Sequence, residues 1–328
     1  MKAAWFDQFG PAANVLTIGD QADPTPNPGE VLVKISTSGV NPSDVKKRAG
    51  SFPNLLDGGF VIPHSDGAGI ITAVGDGVDG SRIGERVWLY QAQYGRRFGT
   101  AAEYLTIEDS RAVRLPDSAS FEVGACLGIP CMTAHRCVFA DGGVEGQTLL
   151  ITGGAGRVGH YAIQWAKQAN ARVIATASSD VDAESCRQAG AHAIVNHRES
   201  GWAETVLSVN DGKPVDRVID VEFGVNLPEV LNCIRTSGVI ATYSSVQDPE
   251  PKLPFFQMLY MDLDIEIVIV YAMPEPAKQH AITDITAALE ANSLTHRVSH
   301  VVPLEEIARS HELIETGGFR GCVVVSLD

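Results

Sequence analysis

Hydrophobic and polar positions follow two different patterns along the chain. Up to about residue 120, short β-branched runs such as Val31–Ile35 and Gly69–Val74 alternate with clusters rich in glycine and proline. Runs of this length, bounded by turn residues, predict many short strands. The N-terminal part is therefore expected to form a partly open, β-barrel-like domain.

The pattern changes to alternating strands and helices in the middle of the chain. A predicted strand at Thr148–Thr152 is followed by a predicted helix at Val158–Ala169, and the alternation continues as far as a helix at Ala277–Ala291. Strands that alternate with helices of this length indicate βαβ units and a parallel, doubly wound sheet. The fold class is therefore α/β.

The last residues return to the pattern of the first domain. Short strands are predicted at Val298–Val302 and within Gly321–Leu327. We therefore expect both chain ends to build one domain, 1–122 with 298–328, and the middle, 123–297, to build the domain of alternating strands and helices.

Charge and composition exclude several classes of partner. The 328 residues include 25 Lys and Arg against 40 Asp and Glu, a net charge of −15. An acidic chain lacks the basic surface that nucleic acids and anionic membranes require. No run approaches the roughly 20 apolar residues of a membrane span, and Asp7 interrupts any N-terminal signal region. Six cysteines without a CxxC pair are expected to be buried thiols, which predicts a cytoplasmic protein.

A glycine-rich loop carries the strongest chemical signal. Gly154-Ala-Gly-Arg-Val-Gly159 fits GxGxxG, follows a predicted strand and opens an amphipathic helix. Glycines at these places let the backbone approach a pyrophosphate, and the helix N-terminus offers N–H groups and positive potential. The loop predicts a dinucleotide site.

The end of the next strand bears on the choice between NADPH and NADH. An NAD site usually carries an acid about 20 residues after the glycines, but Ala177, Ser178 and Ser179 stand there. Small hydroxyl residues leave room for a 2′-phosphate, although the nearest following cation is Arg187. NADPH is favoured over NADH, while a helix cap at the serines suits either cofactor.

Six segments in order resemble the medium-chain dehydrogenase/reductase superfamily, in its zinc-free quinone oxidoreductase branch of zeta-crystallin type. The resemblance covers essentially the whole chain and implies a GroES-like domain interrupted by a Rossmann domain. Besides the glycine loop, the segments that carry it are Gly39–Pro42, Pro63–Gly69, Ala102–Tyr104, Gly128–Ala134 and Asn196–Glu199.

The resemblance also addresses the metal. Zinc-dependent members carry a His-Glu pair where this chain has Ser65-Asp66, and a four-cysteine lobe where Gln91–Thr100 contains no cysteine. Serine is a poor zinc ligand, so no metal is expected. Without a Lewis acid to polarise an alcohol, hydride transfer to electron-poor quinones or enones is the expected chemistry.

Residues that match family motifs are expected at the site. Asn41 and Thr133 are expected near the nicotinamide, with Lys46 and Phe52 shaping the acceptor pocket; no catalytic acid or base is assigned. The remaining cofactor-binding candidates are Ala155, Gly156, Arg157, Val158, Gly159, Ser178, Ser179, His197, Asn226, Tyr243, Ser244, Ser245, Val268, Ile269 and Val270.

Four of these candidates have a structural alternative. His197 is equally consistent with a surface loop, and Asn226 with a cap on a helix that starts at Leu227. Asn41 before Pro42 also fits an Asx turn, and Tyr243 also fits a core position.

The resemblance implies an NADPH-dependent, zinc-free quinone oxidoreductase that acts on a small-molecule acceptor. An enoyl or alkenal double-bond reductase is the enzymatic alternative, and a non-catalytic NADPH-binding sensor or crystallin-like protein is the other. A homodimer is also expected, with the strand at Ile265–Val270 pairing across a twofold axis.

Overall fold

A computed structural model describes residues 1–328, and the chain divides into two compact units. The first unit combines Met1–Ile129 with Ile282–Asp328, and the second is Pro130–Ala281. Both chain ends thus belong to one unit. The boundary predicted at 122/123 lies seven residues before the division at 129/130, and the one predicted at 297/298 lies 16 residues after the division at 281/282, and both stay predictions.

The regular elements are numbered here in chain order. The strands are β1 Lys2–Trp5, β2 Thr17–Asp20, β3 Glu30–Val40, β4 Asp66–Val74, β5 Arg86–Leu89, β6 Tyr104–Glu108, β7 Ala112–Arg114, β8 Thr148–Ile151, β9 Arg172–Thr176, β10 Ala193–Val195, β11 Val215–Asp220, β12 Ile234–Thr242, β13 Asp264–Ile267, β14 Val298–Pro303 and β15 Cys322–Ser326. The α-helices are α1 Ala12–Val15, α2 Pro42–Ala49, α3 Phe121–Gly124, α4 Met132–Phe139, α5 Arg157–Gln168, α6 Asp180–Ala189, α7 Trp202–Val209, α8 Phe223–Cys233, α9 Phe255–Tyr260, α10 Glu275–Glu290 and α11 Ile307–Thr316.

The first unit is built on a seven-stranded sheet. Its main order is β14-β15-β3-β4-β5-β7, and β6 pairs with β3. The C-terminal strand β15 runs antiparallel to β3, with Val324 opposite Gly39. Strands β3, β4 and β5 bury alternate apolar residues such as Val33 and Val87. This pattern agrees with the GroES-like architecture that the resemblance implies.

The second unit is a doubly wound parallel sheet of six strands in the order β10-β9-β8-β11-β12-β13. The chain winds outward from β8 in one direction and resumes at β11 in the other. The carboxyl ends of β8 and β11 therefore form the topological switch point, where such sheets bind ligands. The predicted α/β class is confirmed.

Most predicted elements lie within a few residues of the observed ones. Helix α8 is an exception, because it begins at Phe223 rather than Leu227 and contains Pro228 in its interior. Proline is typical of a first helical position, so the sequence pattern misplaced the start. Strand β13 ends at Ile267, and a short 3-10 turn occupies Val270–Ala272.

No helix of the chain combines the length and the apolar character needed to cross a bilayer. All six cysteines are buried free thiols, as the sequence predicted.

Candidate functional site

The glycine loop joins β8 to α5 at the switch point. Gly153 has a φ of +60°, in the left-handed region that favours glycine. A Cβ on Gly159 would lie 2.4 Å from the carbonyl oxygen of Gly153, so a side chain at 159 would push the helix away from the loop. The Gly153 N–H donates to Thr176 Oγ1 at 2.9 Å, which ties the loop to β9.

Helix α5 supplies the groups that an anion would meet. Gly156 caps it, and Arg157 and Val158 begin its first turn. The first N–H groups of a helix have no partner within that helix and concentrate positive potential at its end. Ala155, within the loop, is buried. This arrangement fits a pyrophosphate, which is the group that the glycine pattern predicted.

The two serines after β9 are arranged differently from each other. Ser179 caps α6, because its Oγ accepts from the Asp182 N–H at 3.2 Å. The hydroxyl hydrogen of Ser179 can still be donated to a ligand. Ser178 is half-buried beside it. Arg187 pairs with Glu184 at 3.5 Å on the exposed surface of α6.

The residues after β10 and in α8 include two cofactor-binding candidates. His197 is half-buried in a turn after β10, which is compatible both with a cofactor contact and with a surface loop. Asn226 is the fourth residue of α8 and therefore does not cap it. Its Nδ2 donates instead to Asp220 Oδ1 at 2.7 Å, so the helix-cap interpretation is wrong.

Backbone hydrogen bonds hold the predicted segment after β12. The Tyr243 N–H donates to the carbonyl of Asp220 at 3.3 Å, and the Ser244 carbonyl accepts from the Phe223 N–H at 3.0 Å. Ser245 Oγ accepts from the Gly224 N–H at 2.9 Å. Burial is the largest cause that raises the pKa of Tyr243 well above its ordinary value, so its hydroxyl keeps its proton at neutral pH.

The other candidates of the second unit differ in exposure. The Val268 N–H donates to the Thr242 carbonyl at 2.7 Å, and Val268 and Val270 are buried. Ile269 between them is 56% exposed. Thr133 is buried in α4.

In the first unit, Asn41 and Asp66 form a buried polar pair. Asn41 caps α2, with its N–H donating to Asp44 Oδ2 at 2.9 Å. Its Nδ2 donates to Asp66 Oδ2 at 2.9 Å, which also accepts from the Ile129 N–H at 2.8 Å. Asp66 Oδ1 is buried and has no hydrogen-bond partner. Burial raises the pKa of the Asp66 carboxyl well above its ordinary value, which favours the neutral acid.

Helix α2 separates the predicted Lys46 from its neighbour Lys47. Lys46 is exposed, whereas Lys47 is 6% exposed. Lys47 Nζ donates to the carbonyl of Gln93 at 2.8 Å and lies 3.4 Å from Ser65 Oγ. Burial lowers the pKa of Lys47. Sequence reasoning missed Lys47, although its position one helical turn after the inward-facing Asp44 is a usable signal.

Phe52, the other acceptor-pocket candidate, is 48% exposed before a short 3-10 turn at Pro53–Leu56.

The donor atoms near Ser65 do not match a zinc site. Asp66 already accepts two hydrogen bonds, and Ser65 lies beside the Lys47 ammonium. His64 directs its two ring nitrogens to Ser38 and His311, at 2.8 and 2.9 Å. Zinc sites in proteins use thiolate, imidazole and ionised carboxylate, and a neighbouring ammonium repels the metal.

Comparisons with known proteins agree with this geometry. Residues 27–117 match the alcohol dehydrogenase GroES-like domain, and residues 158–287 match the zinc-binding dehydrogenase family. The chain is 30% identical over 332 residues to the quinone oxidoreductase of Lama guanicoe, covering 100% of this chain and 98% of that protein.

Two solved structures cover the full length of both chains. A mycobacterial protein complexed with NADPH is 26% identical with a TM-score of 0.87, and an NAD-dependent alcohol dehydrogenase is 27% identical with a TM-score of 0.86. The chain belongs to the medium-chain dehydrogenase/reductase superfamily of oxidoreductases, in its quinone oxidoreductase branch.

Proposed function

We propose that this oxidoreductase transfers a hydride from NADPH to a quinone or a similarly electron-poor carbonyl, without zinc. The observation that carries the proposal is Ser65-Asp66, which offers no zinc ligand set in a chain that keeps the dinucleotide loop. An acceptor that is already electron-poor needs no Lewis acid.

The residues of the second unit would hold the cofactor. The loop at Ala155–Gly156 and the first turn of α5 would bind its pyrophosphate. Tyr243 to Ser245, and backbone from Val268 to Val270, would line the nicotinamide half. When bound, NADPH supplies the hydride, while the protein orients it and excludes water.

The end of β9 supports NADPH over NADH. Positions Ala177, Ser178 and Ser179 after β9 carry no carboxylate of the kind that binds the ribose 2′-OH in NAD sites. The donor hydrogen of the Ser179 hydroxyl supports the same choice. Asp180 and Asp182 follow in the first turn of α6, so the expected preference for NADPH is moderate.

The acceptor-side candidates of this proposal are Asn41, Lys46, Phe52 and Thr133, and no catalytic acid or base is assigned among them. Asn41 is held in place by hydrogen bonds to Asp44 and Asp66.

Cofactor oxidation tests the proposal directly. We expect NADPH absorbance to fall when an ortho-quinone is added, at an equal rate with and without a strong chelator, and more slowly with NADH. Turnover abolished by the chelator would overturn the metal-free chemistry, and a preference for NADH would overturn the cofactor assignment.

A double-bond reductase that takes a bulky acyl carrier has less support. Such a carrier would favour a free basic patch, but Arg96 pairs with Glu108 at 3.0 Å and Arg97 donates to the carbonyl of Phe60 at 3.0 Å. Lys47 and Arg48 are buried. Turnover of a small alkenal but of no quinone would favour this alternative, and NADPH binding without turnover would favour a sensor.

We also propose that the protein is a homodimer. Strand β13 is the outer strand of its sheet, and nearby α9 exposes Phe255, Phe256 and Tyr260 to 66%, 68% and 81%. Ile267 on β13 is 81% exposed. A free strand edge beside a large apolar surface favours pairing with a second copy. Light scattering should give twice the mass of the chain, and a monomeric mass would contradict the proposal.

A further inference from the structure

The carboxyl end of β11 holds a buried acid that none of the predicted roles uses. Asp220 is the last residue of β11 and is fully buried. Its Oδ1 accepts from Thr152 Oγ1 at 2.5 Å, from Asn226 Nδ2 at 2.7 Å and from the Glu222 N–H at 3.4 Å. Its Oδ2 is buried and has no hydrogen-bond partner. Such atoms are rare in folded proteins and call for an explanation.

One side of Asp220 fixes the start of the glycine loop. Thr152 directly precedes Gly153, and its Oγ1 both donates to Asp220 and accepts from the Val221 N–H at 3.0 Å. The Thr152 side chain is therefore held by Asp220, the last residue of β11, and by Val221, which follows it. Since Gly153 follows by one peptide bond, the position of the loop depends on Asp220.

The other side of Asp220 fixes the opposite wall of the switch point. Asn226 in the first turn of α8 donates from its Nδ2 to Asp220 Oδ1. The main-chain carbonyl of Asp220 accepts from the Tyr243 N–H at 3.3 Å and from Thr242 Oγ1 at 3.2 Å. Asp220 thus contacts the glycine loop, α8 and the end of β12, which together carry most of the predicted cofactor residues.

We propose that Asp220 is a positioning residue of the dinucleotide site, whose Oδ1 holds Thr152 and Asn226 at the spacing that the bound cofactor requires. The inference rests on the proposed function, because it concerns a nicotinamide dinucleotide at this loop. Asp220 acts through its neighbours and not on the reacting atoms.

The charge state of Asp220 guides the choice of variant. Burial raises the pKa of its carboxyl, and it outweighs the hydrogen bonds from Thr152, Asn226 and the Glu222 N–H, which lower that pKa. A neutral acid with its proton on Oδ2 leaves Oδ1 as the acceptor, and asparagine reproduces that shape and acceptor. Asp220→Asn should therefore keep the three hydrogen bonds to Oδ1, whereas Asp220→Ala removes all of them.

Strand β11 provides a matched control at its other end. Asp216 accepts from the Thr148 N–H and from Arg235 Nε, each at 2.7 Å, and so resembles Asp220 in its hydrogen bonding. It lies near the amino end of the strand, away from the glycine loop. Asp216→Ala therefore shows how far NADPH affinity and melting temperature change when β11 loses a carboxylate that lies away from the switch point.

The experiment measures the dissociation constant of NADPH by fluorescence titration, with the melting temperature of each variant recorded alongside. We expect Asp220→Ala to weaken NADPH binding about tenfold or more, because two hydrogen bonds to the loop and helix are lost. Asp220→Asn should stay within about threefold of the wild type. Thr152→Val, which removes one donor, should fall between them.

Comparing the KM for NADPH with the KM for the quinone distinguishes a positioning role from general destabilisation, which would affect both. We expect Asp220→Ala to raise the KM for NADPH and to leave the KM for the quinone nearly unchanged. Equal NADPH affinity in Asp220→Ala and Asp216→Ala would overturn the inference. So would an affinity loss in Asp220→Asn as large as that in Asp220→Ala. A wild-type protein that binds no nicotinamide cofactor would instead overturn the proposed function.

Discussion

Two buried histidines in the first unit make the stability of the protein depend on pH. His64 and His311 are completely buried, and their Nε2 atoms lie 2.9 Å apart. Only one of these two nitrogens can carry a hydrogen in that contact. A second proton would place two N–H groups head to head in the core.

The surrounding hydrogen bonds fix which nitrogen carries the hydrogen. Thr100 Oγ1 must donate to the carbonyl of Asp66, at 2.6 Å, so Ser38 Oγ donates to Thr100, also at 2.6 Å. Ser38 Oγ then accepts from His64 Nδ1 at 2.8 Å. His64 Nε2 is therefore an acceptor and His311 Nε2 the donor, so both rings are neutral.

The size of the effect follows from the pKa of His64. Burial, and secondarily the charge of Lys47, lowers this pKa from 6.5 to about 3. Unfolding therefore binds protons at acidic pH, so stability is present above pH 6.5 and is lost as the pH falls toward 3. Between about pH 7 and about pH 5.5, His64 removes about 1 kcal/mol of unfolding free energy. Burial also lowers the pKa of His311, which acts in the same direction.

The assay compares urea unfolding of the wild type and His64→Asn at about pH 7 and about pH 5.5, which stays above the isoelectric point near 5.0. Asparagine does not titrate and tolerates the φ of +77° that His64 adopts. Buried Asp66 and Asp220 have raised pKa values and act in the opposite direction, but they are present in both proteins and cancel in the difference. We expect the acid-induced loss to be smaller by about 1 kcal/mol in His64→Asn.

One outcome decides this prediction. If the wild type and His64→Asn lost the same free energy between the two pH values, the buried pair would not carry the effect and the tautomer argument would be wrong.

Three further predictions concern the loop, the assembly and the acceptor. Gly159→Ala should weaken NADPH binding by about tenfold or more, because its Cβ would lie 2.4 Å from the Gly153 carbonyl oxygen. The control Gly143→Ala, whose Cβ would have no atom within 4 Å, should leave binding unchanged. Equal NADPH titration curves for the two variants would contradict this prediction. Phe256→Glu should shift the light-scattering mass from dimer to monomer, whereas Val181→Glu, on an 80% exposed position of α6, should keep the dimer. Lys46→Ala should change the KM for the quinone, and unchanged turnover and acceptor preference would remove Lys46 from the pocket.

The sequence predicted the features that depend on local backbone chemistry. The glycine loop is recognisable because its function needs small residues at fixed spacing between a strand and a helix, and the structure places Gly153 and Gly159 where a side chain would not fit. The alternation of elements likewise predicted a helix at Val158–Ala169, and α5 occupies Arg157–Gln168.

What the sequence could not predict depends on contacts between distant residues. Asp220 and Thr152 are 68 positions apart, and nothing in either segment indicates their 2.5 Å hydrogen bond. The predicted start of α8 at Leu227 is four residues late, because Pro228 lies inside the helix and not in its first turn. The helix begins at Phe223, whose N–H donates to the carbonyl of Ser244. Such tertiary contacts override local preference.

Lys46 and Lys47 show how this limitation affects the acceptor side. Family position favoured Lys46, yet helix α2 buries Lys47 against Gln93 and beside Ser65. The same region holds Asp66 as an acid whose neutral form burial favours. An ammonium at Lys47, 3.4 Å from Ser65 Oγ, would repel a divalent cation at this position. This contact supports the proposal of hydride transfer without zinc, because it adds to the lack of a zinc ligand set at Ser65-Asp66.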